Sequence, residues 1–129
     1  MILLDTSVWI NLFKRNTHFM LKEENLPVVV TCPIVIQEVL QGIKDDHTHS
    51  KIRTSMTSFP CLDVNIPLER FIQAAALYRL ARKKGLTIRS SSDCLIAAIA
   101  IHHAVPVMHI DRDFDILSKI SALEILKKF

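Results

Sequence analysis

Five acidic residues lie beside short apolar segments that are spread over most of the sequence: Asp5, Glu38, Asp93, Asp111 and Asp113. Carboxylates that come together repel each other, and two charges about 5 Å apart at an effective dielectric of ~20 are opposed by roughly 3 kcal/mol. Such a cluster either takes up protons or binds a cation. Because all of its ligands would be oxygens, we expect a hard ion, Mg²⁺ or Mn²⁺, in preference to zinc.

Whether these acids meet depends on the elements that carry them. Short apolar or β-branched runs predict strands at residues 2–4, 28–31, 62–66, 105–110 and 123–126. Helical periodicity and end signals predict helices at residues 7–14, 34–43, 51–59 and 67–84, with helical turns at 21–24 and 114–120. Residues 15–18 and 45–50 are expected to be polar links. The alternation of strands and helices predicts an α/β fold with a largely parallel sheet.

One further helix carries the most informative acid. Ser90, Ser91 and Ser92 are each good N-cap residues, so Asp93 falls in the first turn, at the positive end of the helix dipole. Residues 94–101 are all apolar, so this helix is expected to be buried on most sides. Compensation of the dipole would explain an isolated acid here, but Asp93 is not isolated.

The predicted parallel sheet places the acids at one of its edges. Asp5 ends the first strand, Asp111 ends the strand after the Asp93 helix, and Asp113 follows two residues later. The carboxyl ends of parallel strands share one edge, and ligands bind there. Asp93 opens a helix, so it also lies on the side where the strands end. Asp5, Asp93 and Asp111 therefore point to this edge, and Glu38, in the helix after the second strand, can lean towards it.

Composition is that of one globular domain over residues 1–129. Half of the residues are hydrophobic and 22% are charged, which is apolar for a protein of this size. A partner protein would cover part of that surplus. The net charge of +3 is compatible with a nucleic acid partner without being evidence for one.

Several classes of protein are excluded by what the sequence lacks. The longest apolar run is eight residues, too short to span a membrane, and no basic segment precedes the first apolar run, so no signal peptide is predicted. Three scattered cysteines favour a reducing cytosol over a disulfide framework. Two glycines cannot build a phosphate-binding loop or a nucleophile elbow, and the histidines show no zinc spacing.

The chemistry most often served by an acidic metal site on a mildly basic domain is phosphodiester hydrolysis. A divalent ion lowers the pKa of a bound water and neutralises the charge that builds on the phosphate. Neither a histidine base nor a serine nucleophile is then required.

Four segments together resemble the successive motifs of PIN-domain ribonucleases, and more narrowly those of VapC-type toxins of bacterial toxin–antitoxin pairs. They are MILLDTSVWI at residues 1–10, IQEVLQG at 36–42, DCLIAAIA at 93–100 and HIDRDFD at 109–115. The resemblance implies a PIN-like three-layer sandwich, with a mostly parallel central sheet flanked by helices. It also implies a Mg²⁺-dependent endoribonuclease that cuts tRNA, rRNA or mRNA, is inhibited by a cognate antitoxin, forms a homodimer and meets DNA only through the antitoxin.

The resemblance also implies roles for the acids. Asp5 and Asp93 correspond to direct metal ligands, and Glu38 and Asp111 complete the catalytic quartet, with Asp113 as the alternative fourth acid. The hydroxyl groups of Thr6 and Ser7 would support the Asp5 loop. His109 would either orient a metal ligand or pack against its neighbours.

Two arginines near the predicted edge have two readings each. Arg89 and Arg112 would contact either a phosphate of bound RNA or an acid of the edge. The basic residues at positions 79–84 are expected to be mainly solvated, and Trp9 to pack in the core or at an antitoxin groove. The remaining acids, Asp45, Asp46 and Asp63, are expected to lie in loops.

A second hypothesis is a non-catalytic module that binds an antitoxin within a repressor complex. It draws on the high apolar content, while the retention of all the acids argues against it. A third reading, a DNA-directed flap nuclease, requires clamp elements for which the chain is too small.

Overall fold

The computed structural model describes residues 1–14 and 22–129, and its centre is a three-stranded parallel sheet. The strands are β1 (Ile2–Leu4), β2 (Val29–Val30) and β3 (Val107–Met108), in the order β2-β1-β3. Leu3 of β1 is in register with Val30 on one side and with Val107 on the other. Every residue of β2 and β3 is buried, as expected for a parallel sheet covered on both faces.

Helices account for most of the described chain. They are α1 (Thr6–Phe13), α2 (Pro33–Gln41), α3 (Asp46–Thr57), α4 (Leu68–Lys83), α5 (Ser91–His103) and α6 (Arg112–Ile120), with a 3₁₀ helix at Glu23–Val28. The predicted α/β class with a parallel sheet flanked by helices is confirmed. The predicted link at 15–18 and the start of the turn at 21–24 lie outside the described residues. No described helix is long and apolar enough to cross a membrane.

Helix α5 is the buried centre of the helical layer. Its eight residues from Asp93 to Ala100 are all buried, which confirms the prediction from its apolar sequence. It packs against α4 and also contacts α2 and α6. Ser90 is its N-cap residue, and Ala104 ends it in a left-handed conformation at φ 53.

Two of the predicted strands were wrong. Residues 62–66 do not extend the sheet: Cys61 forms one parallel bridge with Thr31, and Asp63 then turns the chain at φ 51. Residues 123–126 likewise contribute a single bridge, between Ile125 and Val107. In both places the chain touches the sheet edge once and leaves it.

Helix α3 begins earlier than the sequence indicated. Asp45 is its N-cap residue and accepts a hydrogen bond from the backbone N–H of Thr48 at 2.8 Å. The segment expected to be a polar link is therefore the first turns of a helix, and His47 and His49 lie on it. Asp45 and Asp46 therefore lie at the start of a helix and not in a loop. Acidic residues in this position complement the positive end of the helix dipole.

Asp63 holds three parts of the fold together. Its carboxylate lies 3.0 Å from Nε of Arg70 at the start of α4 and 2.8 Å from Nε2 of His103 at the end of α5. Burial by itself raises the pKa of Asp63, but the hydrogen bond and charge of His103, with Arg70, lower it below its usual range. The side chains of Asp63 and Arg70 are 11% and 7% exposed, so this is a buried ion pair.

Replacing Asp63 by Asn should destabilise the fold by about 3 kcal/mol, because a buried guanidinium would lose its counter-charge. Asn tolerates the left-handed backbone as well as Asp does, so the variant isolates the effect of the charge. Urea denaturation measures the change. Asp46→Asn, at an exposed position, is the control, and equal stabilities for the two variants would contradict the prediction.

Candidate metal centre

The four acids expected at one edge of the sheet come from four different elements. Asp5 follows β1 and caps α1, and Asp111 follows β3 and caps α6. Asp93 lies in the first turn of α5, and Glu38 lies within α2. The backbone N–H of Asp5 donates to the carbonyl of Met108 at 3.0 Å, which ties the end of β1 to the end of β3. The carboxyl ends of these strands therefore lie side by side.

Three aspartates form the tightest group. Asp93, Asp111 and Asp113 each offer a carboxylate oxygen, and these oxygens lie within 4.8 Å of one another. Asp93 is 7% exposed and Asp113 is fully buried, whereas Asp111 is partly exposed. Three convergent carboxylates with two of them buried form a site that can hold a hard cation.

Asp5 is buried beside this group and is held by Ser7. Its Oδ2 accepts hydrogen bonds from the Ser7 hydroxyl at 2.7 Å and from the Ser7 backbone N–H at 3.2 Å. The same hydroxyl accepts a hydrogen bond from the backbone N–H of Ile110 at 3.1 Å. Ser7 therefore connects the loop after β1 with the loop after β3, just before Asp111.

Glu38 stands further out and is held by Thr6. The Thr6 hydroxyl donates to Glu38 Oε1 at 3.2 Å. Burial raises the pKa of Glu38, the Thr6 hydrogen bond opposes that rise, and the nearby charge of Asp5 adds to it. Glu38 is thus coupled electrostatically to the acids of the edge, although it is not a member of the tight group.

Among the acids of the edge, Asp93 has the most strongly raised pKa. Burial and then the charges of Asp5, Asp111, Asp113 and Glu38 raise its pKa to about 8. Burial also raises the pKa of Asp5, against the opposing hydrogen bonds from Ser7. A divalent cation would relieve the repulsion that causes these shifts.

Unsatisfied oxygens test whether a cation fits. Asp5 Oδ1, Asp93 Oδ2 and Asp113 Oδ1 are buried and have no hydrogen-bond partner among the described residues. A buried carboxylate oxygen without a donor is costly in a folded protein. Three such oxygens on clustered aspartates fit a metal ion, for which carboxylate oxygens are the preferred ligands.

The structure also shows where the other candidate residues lie. Arg89 is paired with the acids, at 3.0 Å from Asp111 and 3.6 Å from Asp113. Arg112 is exposed and forms no ion pair in the part of the chain that the structure describes. Trp9 is buried in the core, where its ring packs against Phe13 and Phe59.

His109 has a partner that the sequence reasoning missed. Its Nε2 lies 3.2 Å from Asp115 Oδ1, and its ring lies 5.3 Å from that of Phe114. Asp115 is two residues beyond Asp113, so the start of α6 places Asp113 in the metal group and Asp115 beside the histidine, whose ring nitrogens make no hydrogen bond among the described residues. The acid-rich run from 111 to 115 indicated a role for this segment, but the sequence did not show which acids face the metal group and which faces His109.

Comparisons with known proteins identify the family. The PIN domain family matches residues 2–120, so the chain is a PIN-domain protein. Ribonuclease VapC11 of Mycobacterium tuberculosis is 37% identical over 130 residues, which cover 96% of this chain and 96% of that protein. A VapC ribonuclease of Mycobacterium bovis matches with the same identity and coverage. Among PIN-domain proteins, the chain therefore belongs to the VapC ribonuclease family.

Solved structures share the fold over nearly the whole chain. VapBC2 from Rickettsia felis, bound to a DNA fragment from its promoter, superposes with a TM-score of 0.75 at 21% identity and covers 100% of this chain and 99% of that one. VapBC-5 from Mycobacterium tuberculosis gives a TM-score of 0.69 at 24% identity, covering 96% and 95%. The family resemblance predicted from the four motifs is confirmed.

In metal-free solution, the unfolding free energy should fall as the pH rises from about 4 to about 8. The pKa of Asp93 is about 8 in the folded chain, above its ordinary 3.8. Between these two values the folded chain keeps a proton that the unfolded chain has lost, so raising the pH lowers the stability of the folded chain. We expect a decrease of at least ~1.4 kcal/mol, the equivalent of one pKa unit. Urea denaturation in EDTA at pH 5 and pH 8 measures it, and Asp93→Asn should remove most of the difference. Equal pH dependence in the two proteins would refute this.

Replacing Ser7 by Ala should weaken divalent-ion binding by about 10- to 100-fold, the usual effect of losing a residue that orients a metal ligand. The hydroxyl positions Asp5 and joins it to the loop before Asp111. Calorimetric titration with Mn²⁺ measures the affinity. Ser58→Ala is the matched control, because its hydroxyl bonds only within the C-terminal turn of α3; a Ser7 variant as tight as this control would exclude the role.

Proposed function

We propose that this chain is the endoribonuclease toxin of a toxin–antitoxin module and hydrolyses phosphodiester bonds of RNA with a divalent ion, Mg²⁺ or alternatively Mn²⁺. The observation that carries the proposal is the group formed by Asp93, Asp111 and Asp113, with buried oxygens that lack donors. The 37% identity to ribonucleases of the VapC family supports the reaction class. The substrate would be tRNA, rRNA or mRNA.

The roles that we assign follow the geometry. Asp93 and Asp5, both buried, would hold the ion directly, and Asp111, with Asp113 as the alternative fourth acid, would complete the set. Glu38 is further out and would act through a water, with its orientation set by Thr6. When bound, the ion supplies a water of lowered pKa and a positive charge opposite the phosphate.

The outward-facing charges would then receive the nucleic acid. Arg112 is exposed next to Asp111 and is free to meet a phosphate, since it forms no ion pair within the described ranges. Phosphate contacts of this kind position a nucleic acid without reading its sequence. The net charge of +3 favours the approach of RNA despite the acidic centre.

We also propose protein partners. Large apolar side chains are exposed around the start of α4, including Val64 at 68%, Leu68 at 74% and Ile72 at 53%. Exposed apolar surface of this kind marks contacts with other proteins, and we assign it to a cognate antitoxin and to a second copy of the chain. Solved relatives are VapBC complexes, some with DNA, and we propose that this chain meets DNA only through its antitoxin.

We place the protein in the cytosol, as a single domain over residues 1–129 and without a membrane partner. Cys32, Cys61 and Cys94 are all free thiols, which suits a reducing compartment. The family match over residues 2–120 supports one domain.

Replacing Asp93 by Asn should abolish metal-dependent cleavage of RNA, by at least about 100-fold, because the substitution removes a buried ligand charge at the centre of the group. Cleavage of total RNA with and without Mg²⁺ is the measurement, and sequencing of the RNA ends identifies the site. Asp46→Asn, with the same change in charge on exposed α3, should cleave like the wild type.

Thermal denaturation separates the enzyme from the non-catalytic module. The wild type should gain stability at millimolar Mg²⁺ because the ion binds the folded chain, and Asp93→Asn should gain little. Cleavage by Asp93→Asn at the wild-type rate would exclude our assignment of that residue. A wild type that neither cleaves RNA nor gains stability would support the module instead.

A further inference from the structure

Arg89 reaches the acid group from the loop between α4 and α5. Its Nη2 donates to Asp111 Oδ1 at 3.0 Å, and its Nε lies 3.6 Å from Asp113 Oδ1. Its backbone N–H donates to the other oxygen of Asp113, Oδ2, at 3.0 Å. The residue before it, Ile88, is 3% exposed and anchors the loop in the core. The backbone of Arg89 is therefore fixed, and its guanidinium lies against two of the three clustered carboxylates.

The guanidinium and a metal ion would compete for the same carboxylates. Asp113 Oδ1 is buried without a hydrogen bond, although the Arg89 Nε is its nearest cation. Asp111 Oδ1 is already shared between the guanidinium and the backbone N–H of Asp113. A divalent cation at the group would sit within a few ångströms of the positive guanidinium, and two cations at that distance repel.

Arg89 is also able to leave. Its side chain is 56% exposed, so a rotation about the fixed backbone would take the guanidinium into water at little desolvation cost. Exposed ion pairs are weak, whereas a divalent ion at three carboxylates is held by several charges at once. The balance therefore favours displacement of the arginine once the ion is present.

We propose that Arg89 is an internal counter-cation of the metal centre: it neutralises Asp111 and Asp113 in the metal-free chain and must release them for a divalent ion to bind. The proposal rests on the proposed function only in treating this acid group as the metal centre. The released guanidinium remains tethered at the mouth of the group by the Asp113 hydrogen bond of its own backbone.

The alternative, that Arg89 only holds the acids in place, predicts the opposite sign. A purely structural arginine would preorganise the ligands, so its removal would weaken ion binding. A counter-cation competes with the ion, so its removal strengthens ion binding while lowering the stability of the metal-free chain. The direction of the change in affinity thus distinguishes the two roles.

Calorimetric titration of the full chain with Mn²⁺ tests the proposal. Arg89→Gln should bind Mn²⁺ about three- to tenfold more tightly than the wild type, as expected for the loss of two partly exposed ion pairs. Arg89→Lys retains a positive charge and should bind within about twofold of the wild type. Arg112→Gln is the matched control, because it removes a positive charge next to Asp111 from a side chain without an ion pair among the described residues. Its affinity for Mn²⁺ should differ from that of the wild type by less than about twofold, because solvent and salt screen an exposed charge.

Thermal denaturation gives a second readout. In EDTA, Arg89→Gln should melt at a lower temperature than the wild type, because Asp111 and Asp113 lose their counter-charge. On addition of Mn²⁺, the melting temperature of Arg89→Gln should rise by more than that of the wild type. An unchanged or weaker affinity in Arg89→Gln would overturn the proposal and leave the proposed function standing. Failure of the wild type to bind millimolar Mn²⁺ would overturn both.

Discussion

Repulsion among buried carboxylates is the constraint on which the rest of the molecule depends. The acids reach the edge of the sheet from α1, α2, α5 and α6, and three of the aspartates are held there by hydrogen bonds. Asp5 accepts from Ser7, Asp111 accepts from the backbone N–H of Asp113, and Asp113 accepts from that of Arg89. Donors of this kind stabilise ionised carboxylates. The fold thus holds the clustered aspartates in place by hydrogen bonds while its apolar core supplies the stability.

Helix capping and ligand presentation are performed by the same side chains. Asp5 uses Oδ2 to cap α1 and leaves Oδ1 without a donor, so one carboxylate both starts a helix and faces the metal group. Asp111 caps α6 in the same way. This arrangement explains why strands of only two or three residues suffice: the helix starts, more than the sheet, define where the ligands point.

Sequence reasoning succeeded where local chemistry determined the outcome. The apolar run of α5, the N-cap at Ser90 and the aspartates that end β1 and β3 all have local signals. It failed where a distant partner decided. Asp63 turns the chain at φ 51 to reach His103, 40 residues away, and no feature of residues 62–66 reveals that contact. Similarly, the sequence left the direction of the long, exposed Arg89 side chain open, because only the folded edge offers it two acids.

The spacing of the acids along the chain has a consequence for synthesis. A nascent chain translated as far as residue 90 contains Asp5, Glu38 and Arg89, but none of the three aspartates that form the tight group. Domains generally fold from the N-terminal side as they are translated, so the nascent protein passes through most of its length without an assembled pocket. The pocket can assemble only after Asp113 has been translated, and any inhibitor that recognises the assembled pocket has to act after that point.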